Sequence, residues 1–150
     1  MQAALHEARL AFSEGEVPIG AVLVYDDRII AADHNRTEQL HDPLAHAEML
    51  TIRAACTSLQ YERLDQAMLY VTVEPCAMCA GAIVLARIAG IVYGTANPKA
   101  GAVRSLYMLT QDQRLNHQTA VTSGILQAEC AQLMSSFFRQ LRRGEVPKWS

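Results

Sequence analysis

The stretch LYVTVEPCAMCAGAIVL, residues 69–85, decides the fold. Its first half alternates and is rich in β-branched and aromatic residues, so residues 68–74 read as a strand. Pro75 cannot extend a ladder but suits a first helical position, and a helix is predicted over about 76–87. Cys76 and Cys79 then stand at i, i+3 in the first helical turn, with both sulfurs on one side. A helix N-terminus favours the thiolate, the form of cysteine that binds metal.

Working outward, GIVYGTA (90–96) reads as a second central strand. Upstream, PIGAVLVY (18–25) and RIIAA (28–32) flank Asp26-Asp27 in the pattern of a hairpin. Residues 2–14 look helical, and residues 33–44 read as loop. Asp42 is a plausible N-cap with Pro43 at a first helical position, so a helix is predicted from there to about Ser58. Residues 97–118 contain Pro98 and Gly101 and lack periodicity; they read as a long surface excursion with one short helix. TAVTS (119–123) is a short fifth strand. In the last helix Leu126, Cys130, Leu133, Met134, Phe137, Phe138 and Leu141 recur at spacings of 3 and 4. Helices alternating with strands imply an α/β fold, a three-layer α/β/α sandwich around a mixed five-stranded sheet. At 150 residues, the chain reads as a single domain over 1–150.

Half of the residues (51%) are hydrophobic and 19% are charged, a globular composition. The longest apolar stretch, around residues 80–93, is interrupted by Arg87 and Gly90 well short of a bilayer span. No export leader opens the chain, so a cytoplasmic location without a membrane is expected. The first helix begins without a capping residue, which suggests a turn of helix ahead of Met1. A net charge of −2 argues against a general nucleic-acid coat but leaves room for a local basic patch. One stands near the end, with Arg139, Arg142, Arg143 and Lys148 against Glu145 alone. Arginines complementing a helix dipole are the plainer explanation. Four cysteines, Cys56, Cys76, Cys79 and Cys130, in a chain without an export signal point to metal or redox chemistry before disulfides.

His46 sits in the first turn of the other predicted helix, and Glu48 follows two residues later. Residues i and i+2 do not share a lateral face, but near an N-terminus both can reach beyond the helix end. If two helix N-termini meet at the sheet edge, His46, Cys76 and Cys79 can hold one ion with Glu48 beside it. Three N/S ligands suit Zn²⁺ with a fourth position open, a catalytic arrangement. Cys56, roughly 15 Å along the helix from His46 at 1.5 Å per residue, is too far to close the site. Cys130 belongs to an apolar stripe; His34 and His41 are weak candidates. A redox pair remains the alternative for the two cysteines.

With HAEML (46–50) and VEPCAMCAGAIVLARI (73–88) on the page, the chain resembles the bacterial tRNA-specific adenosine deaminases. The likeness extends over GEVPIGAVLV (15–24), HNRTEQLHDPLAHAEML (34–50), LYVTVEPCAMCAGAI (69–83), YGTANPKAGAVRSL (93–106), LNH (115–117) and SSFFRQLRR (135–143). The His-x-Glu and Pro-Cys-x-x-Cys motifs are shared with cytidine, guanine and other deaminases, whereas Pro-Lys-x-Gly-Ala and Phe-Phe-Arg are narrower markers.

The resemblance implies a cytidine deaminase-like fold, one Zn²⁺ per chain, a homodimer, and conversion of the wobble adenosine of a tRNA anticodon stem-loop to inosine. It implies that Zn²⁺ acidifies a water and that Glu48 relays protons to N1 and to the departing amine of the base. Asn35 matches the residue that hydrogen-bonds the flipped base, and Ile19 an apolar pocket residue. The backbone around Ala47 and Pro75 completes the wall, while Lys99, His117, Phe138 and Arg139 match positions near the flanking nucleotides. A single-stranded loop fits this design, because extruding an unstacked base costs little.

At Asn97 many relatives carry aspartate, which accepts a hydrogen bond from a ribose 2′-OH. Asparagine loses the charge, and weaker RNA-over-DNA discrimination, with tolerance of single-stranded DNA, is the expectation. Two rivals stand: a zinc deaminase of free cytidine or guanine, and a non-catalytic zinc-stabilised RNA-binding module.

Overall fold

The computed structural model describes residues 1–147. The basic-patch residue Lys148 lies outside the described residues. Five strands form one sheet in the order β2-β1-β3-β4-β5. The elements are α1 (Gln2–Ser13), β1 (Gly20–Tyr25), β2 (Arg28–His34), α2 (Thr37–Leu40), α3 (Ala47–Leu59), β3 (Met68–Val73), α4 (Ala77–Leu85), β4 (Gly90–Thr95), β5 (Ala120–Ser123) and α5 (Gln127–Arg142). β1 runs antiparallel to β2 and β3, whereas β3, β4 and β5 are parallel, so the sheet is mixed as expected.

The β1–β2 hairpin turns at Asp26 and Asp27, whose φ values of 51° and 57° suit a two-residue turn matched to strand twist. β2 runs on to His34, two residues past the expected end, and the following loop holds the short α2.

Alternation along the strands sorts the core into two layers. Ala21, Leu23, Leu69, Val71, Ile91 and Tyr93 pack with Ala47, Ile52 and Ala55 of α3 and Ile83 of α4. Val22, Thr72 and Val92 are buried on the other face, which α1 and α5 cover. There the backbones approach closely. A Cβ on Gly20 would overlap the Ala4 carbonyl, and one on Gly94 would overlap the Cys130 sulfur. Phe137 of α5 is buried and meets Phe12 edge to face at 5.4 Å, an aromatic geometry favourable beyond its area. Cys130 is therefore a core residue on the α1/α5 face. No helix among the described residues is long and apolar enough to cross a membrane.

Candidate metal centre and cleft

β3 ends at Val73, and Glu74-Pro75 lead directly into α4 with Cys76 at the N-cap. α3 does not begin at Asp42-Pro43. Asp42 instead accepts the Leu44 N–H at 2.9 Å in a local turn, and the Ala45 N–H bonds the Asp42 carbonyl. A polar residue before proline satisfied this Asx turn as readily as a helix start. The helix opens five residues later, at Ala47, with His46 as its N-cap.

Both candidate ligands on these helix starts thus occupy N-cap positions with extended backbone, and neither side chain caps its helix. Their carbonyls accept the first helical bonds, from the Leu50 and Ala80 N–H groups. Their side chains are left free to project past the helix ends. This is how His46 and Glu48, two apart, come to serve one site.

The Nδ1 of His46 lies 3.6 Å from the sulfur of Cys76 and 3.6 Å from that of Cys79. A tetrahedral centre with bonds near 2.1 Å to nitrogen and 2.3 Å to sulfur sets those atoms about 3.6 Å apart. One imidazole nitrogen cannot form two hydrogen bonds along these lines at once, whereas one cation satisfies all three atoms. The residues therefore fit a zinc ion, and among the described residues no fourth protein ligand joins the cluster. As free thiols the two cysteines share a proton. Their mutual hydrogen bond holds Cys76 down to about 3 and pushes Cys79 up. The contact with Cys76 likewise raises the His46 imidazole.

Glu48, in the first turn of α3, is 3% exposed, and its Oε2 has no hydrogen-bond partner among the described residues. Burial pushes its carboxyl up to about 7, against the pull of its own N–H and of the His46 charge. An unpartnered buried carboxylate oxygen is costly. Here it belongs to a carboxyl close enough to the cluster to feel the His46 charge.

Of the other candidate ligands, His34 is buried against α1, its two ring nitrogens 2.7 Å from Glu7 and 2.8 Å from Glu14. That pair of carboxylates uses both nitrogens and ties α1 to the strand end that carries Asn35. His41 is exposed, with φ at 50°. Neither joins the metal cluster.

A cleft of about 680 Å³ is lined by Val17, Ile19, Asn97, Lys99, Phe138 and Arg142 among others, with none of His46, Glu48, Cys76 and Cys79 among its lining residues. Ile19 contributes to the cleft wall and its carbonyl accepts the buried Asn35 N–H at 3.0 Å. Ala47 and Pro75 are buried beside the ligands in sequence. Arg139 is exposed next to the cleft helix, where its guanidinium donates to Ser136. His117 is not brought together with these residues. Its Nε2 lies 2.7 Å from the Ile88 carbonyl, ahead of the first residue of β4. The cleft takes Thr95 from the other end of that strand, seven residues and about 23 Å away at strand rise.

Two features escaped the sequence reading. Arg142, taken there as part of a basic helix end, lines the cleft on the same α5 stripe as Ala131, Ser135 and Phe138. Its signal was the i, i+4, i+7, i+11 spacing of those four residues. Glu74 had no local signal at all. It is 2% exposed and accepts N–H groups from Asn97, Val103, Arg104 and Ser105. Despite burial, those bonds and the Ser105 hydroxyl hold its carboxyl below the usual range.

The profile of the MafB19-like deaminase family matches residues 1–142. A tRNA-specific adenosine deaminase of Bacillus subtilis (strain 168) is 51% identical over 143 residues, covering 95% of this chain and 89% of that protein. One from Agrobacterium fabrum (strain C58) is 50% identical over 142 residues, covering 95% and 93%. Among solved structures, one from a study of A-to-I editing by tRNA:A34 deaminases at the wobble position superposes with a TM-score of 0.86. It is 50% identical and covers 89% of this chain and 96% of that one. A Bacillus subtilis guanine deaminase is 40% identical but covers only 63% of this chain and 61% of its own, with a TM-score of 0.61.

Proposed function

This chain belongs to the tRNA-specific adenosine deaminase family, and from that membership we propose that it converts the wobble adenosine of a tRNA anticodon loop to inosine. Residues 1–150 would act as one zinc-dependent deaminase domain. The observation that carries the reading is the pairing of a three-ligand N/S cluster at zinc spacing with a buried, unpartnered carboxylate beside it. A closed structural metal site or a redox pair has no use for Glu48.

His46, Cys76 and Cys79 would hold the ion, and a bound zinc supplies Lewis acidity that makes a water reactive near neutral pH. Glu48 would take a proton from that water as the water oxygen bonds C6, and would deliver it to N1 of adenine; it would then carry the proton of the new C6 hydroxyl to the exocyclic amine, which leaves as ammonia as the C6–N bond breaks. One carboxylate can serve in both directions because each transfer is short and the site excludes bulk water. Asn35 and Ile19, with the backbone of Ala47 and Pro75, would orient the flipped base. Lys99, Phe138, Arg139 and Arg142 would meet flanking nucleotides by charge and stacking.

The Oδ1 of Asn97 already accepts the Ala100 N–H at 3.2 Å. The side-chain group left for a ligand is then an amide donor, where aspartate would offer a second acceptor oxygen. That supports a weaker preference for ribose and some tolerance of single-stranded DNA. Exposed Leu85 on α4, with Tyr107 and Met108 on the segment leading into the 3₁₀ turn Leu109–Gln111 packed against α4, supports a homodimer. A cytoplasmic setting follows from the substrate.

The test is incubation of the zinc-loaded protein with an anticodon stem-loop carrying adenosine at the wobble position, alongside free nucleosides and bases. Inosine at the wobble position supports the reading. Turnover of free cytidine or guanine alone rejects it, and RNA binding without turnover points to a non-catalytic module.

A further inference from the structure

The segment from Ala96 to Met108 contains no helix or strand, yet it carries the cleft residues Asn97, Pro98 and Lys99. One side chain holds much of it. Glu74 Oε1 accepts the Asn97 N–H at 3.1 Å and the Ser105 hydroxyl. Its Oε2 accepts the N–H groups of Val103 at 3.1 Å and of Arg104 and Ser105 at 2.9 Å each. These partners lie 23 to 31 residues away in the chain.

Among the described residues no cation pairs with the carboxylate. The Arg104 guanidinium turns instead to the Ser123 hydroxyl and the Val121 carbonyl. Glu74 is thus held entirely by directed dipoles, the arrangement of an anion-binding backbone nest. Charge-assisted bonds of this kind are shorter and roughly twice as strong as neutral ones.

The same turn is tied to the metal ligands. Glu74 immediately precedes Pro75 and Cys76. The Pro75 carbonyl accepts the Ala102 N–H at 2.8 Å, and Cys76 bridges to Gly101. A Cβ on Gly101 would overlap the Glu74 carboxylate and crowd the Asn97 carbonyl at 2.6 Å. The loop therefore seats on Glu74 in one position, indexed to the cysteine pair rather than free to follow the surface.

We propose that Glu74 is a positioning residue which fixes the cleft lip, Asn97 to Lys99, at a set distance from the metal ligands and so governs binding of the nucleotides flanking the target base. This rests on the tRNA-deaminase reading above. Glu74 touches neither the reacting base nor the ligand atoms. It acts through the loop, and its effect falls on recognition rather than on chemistry.

Zinc-loaded full-length protein and its Glu74→Gln and Gly101→Ala variants test this with two readouts. Hydrogen exchange of the Val103, Arg104 and Ser105 amides is expected to speed up about tenfold or more in Glu74→Gln, the loss of one charge-assisted bond's worth of protection. For the anticodon stem-loop, KM is expected to rise about tenfold in both variants, while kcat stays within about threefold and zinc remains at one per chain. Unchanged amide exchange overturns the proposal. So does a fall in kcat at constant KM, or a lowered melting temperature with both kinetic constants unchanged. Absence of turnover by the parent protein is a different result. It refutes the deaminase reading and the RNA half of this proposal with it, while the amide exchange still decides whether Glu74 orders the loop.

Discussion

Glu48 and Glu74 are equally hidden from water, at 3% and 2% exposure, and each stands two residues from a candidate metal ligand, His46 and Cys76. Their surroundings are opposite. Glu74 collects four backbone N–H groups and a hydroxyl, and its carboxyl is held below the usual range. Glu48 keeps one oxygen without a partner among the described residues, and burial pushes its carboxyl up to about 7. Burying a carboxylate is unfavourable in both places. One site offsets the cost with directed dipoles and gains a fixed loop. The other leaves it standing, which is characteristic of a group kept available for reaction. Burial alone does not separate scaffold from chemistry; hydrogen-bond satisfaction does.

The contrast breaks most easily at Glu48. Glu48→Gln should lower kcat on the stem-loop by about 10²- to 10⁴-fold, the usual contribution of a positioned acid–base group. Its melting temperature should be no lower than that of the parent, because a neutral amide is cheaper to bury. A clear loss of stability in a thermal melt would place Glu48 with Glu74 as scaffold.

Next in size, Glu74→Ala leaves four amides without their acceptor, only that of Val103 in a fully buried bond, and should cost about 1 to 3 kcal/mol in urea unfolding, the cost of one donor that water cannot reach. A cost under about 0.5 kcal/mol, the level of an ordinary surface change, would remove the distinction.

The apolar counterpart is Phe137 beside Phe138. Phe137 is 2% exposed in the core and Phe138 is 38% exposed on the cleft wall. Phe138→Ala should therefore cost only about 1 kcal/mol in stability while raising KM for RNA severalfold. A large unfolding effect with KM intact would return it to the core.

Smallest is Asn97→Asp, which restores an acceptor at the lip. It should increase the RNA-over-DNA rate ratio on matched hairpins by about three- to tenfold, a single hydrogen bond's worth. Equal ratios in both proteins would remove the idea.

The residues legible in advance were those whose meaning is local. The run from residue 68 through Cys79 announces a strand, a stop and two sulfurs on one helix turn within a dozen positions. The Asp26-Asp27 hairpin is equally self-contained. Where the reading missed, a local signal had two outlets or none. Asp42-Pro43 suits a helix start but serves an Asx turn, which leaves His46 at the N-cap and available as a ligand. The spacing in α5 marks a helix with an apolar side, yet periodicity cannot tell which of two adjacent phenylalanines meets the core and which the cleft. His117 matches a position near the flanking nucleotides by resemblance alone; in this chain its Nε2 lies 2.7 Å from the Ile88 carbonyl. Glu74 depends on partners more than twenty residues away, and spacing along the chain carries no trace of them.

The most direct test of the central claim measures zinc content and wobble-position inosine together in the parent protein and in Glu48→Ala. The account predicts one zinc per chain in both proteins and inosine only in the parent. Zinc lost along with the carboxylate, or inosine still formed without it, would contradict the account.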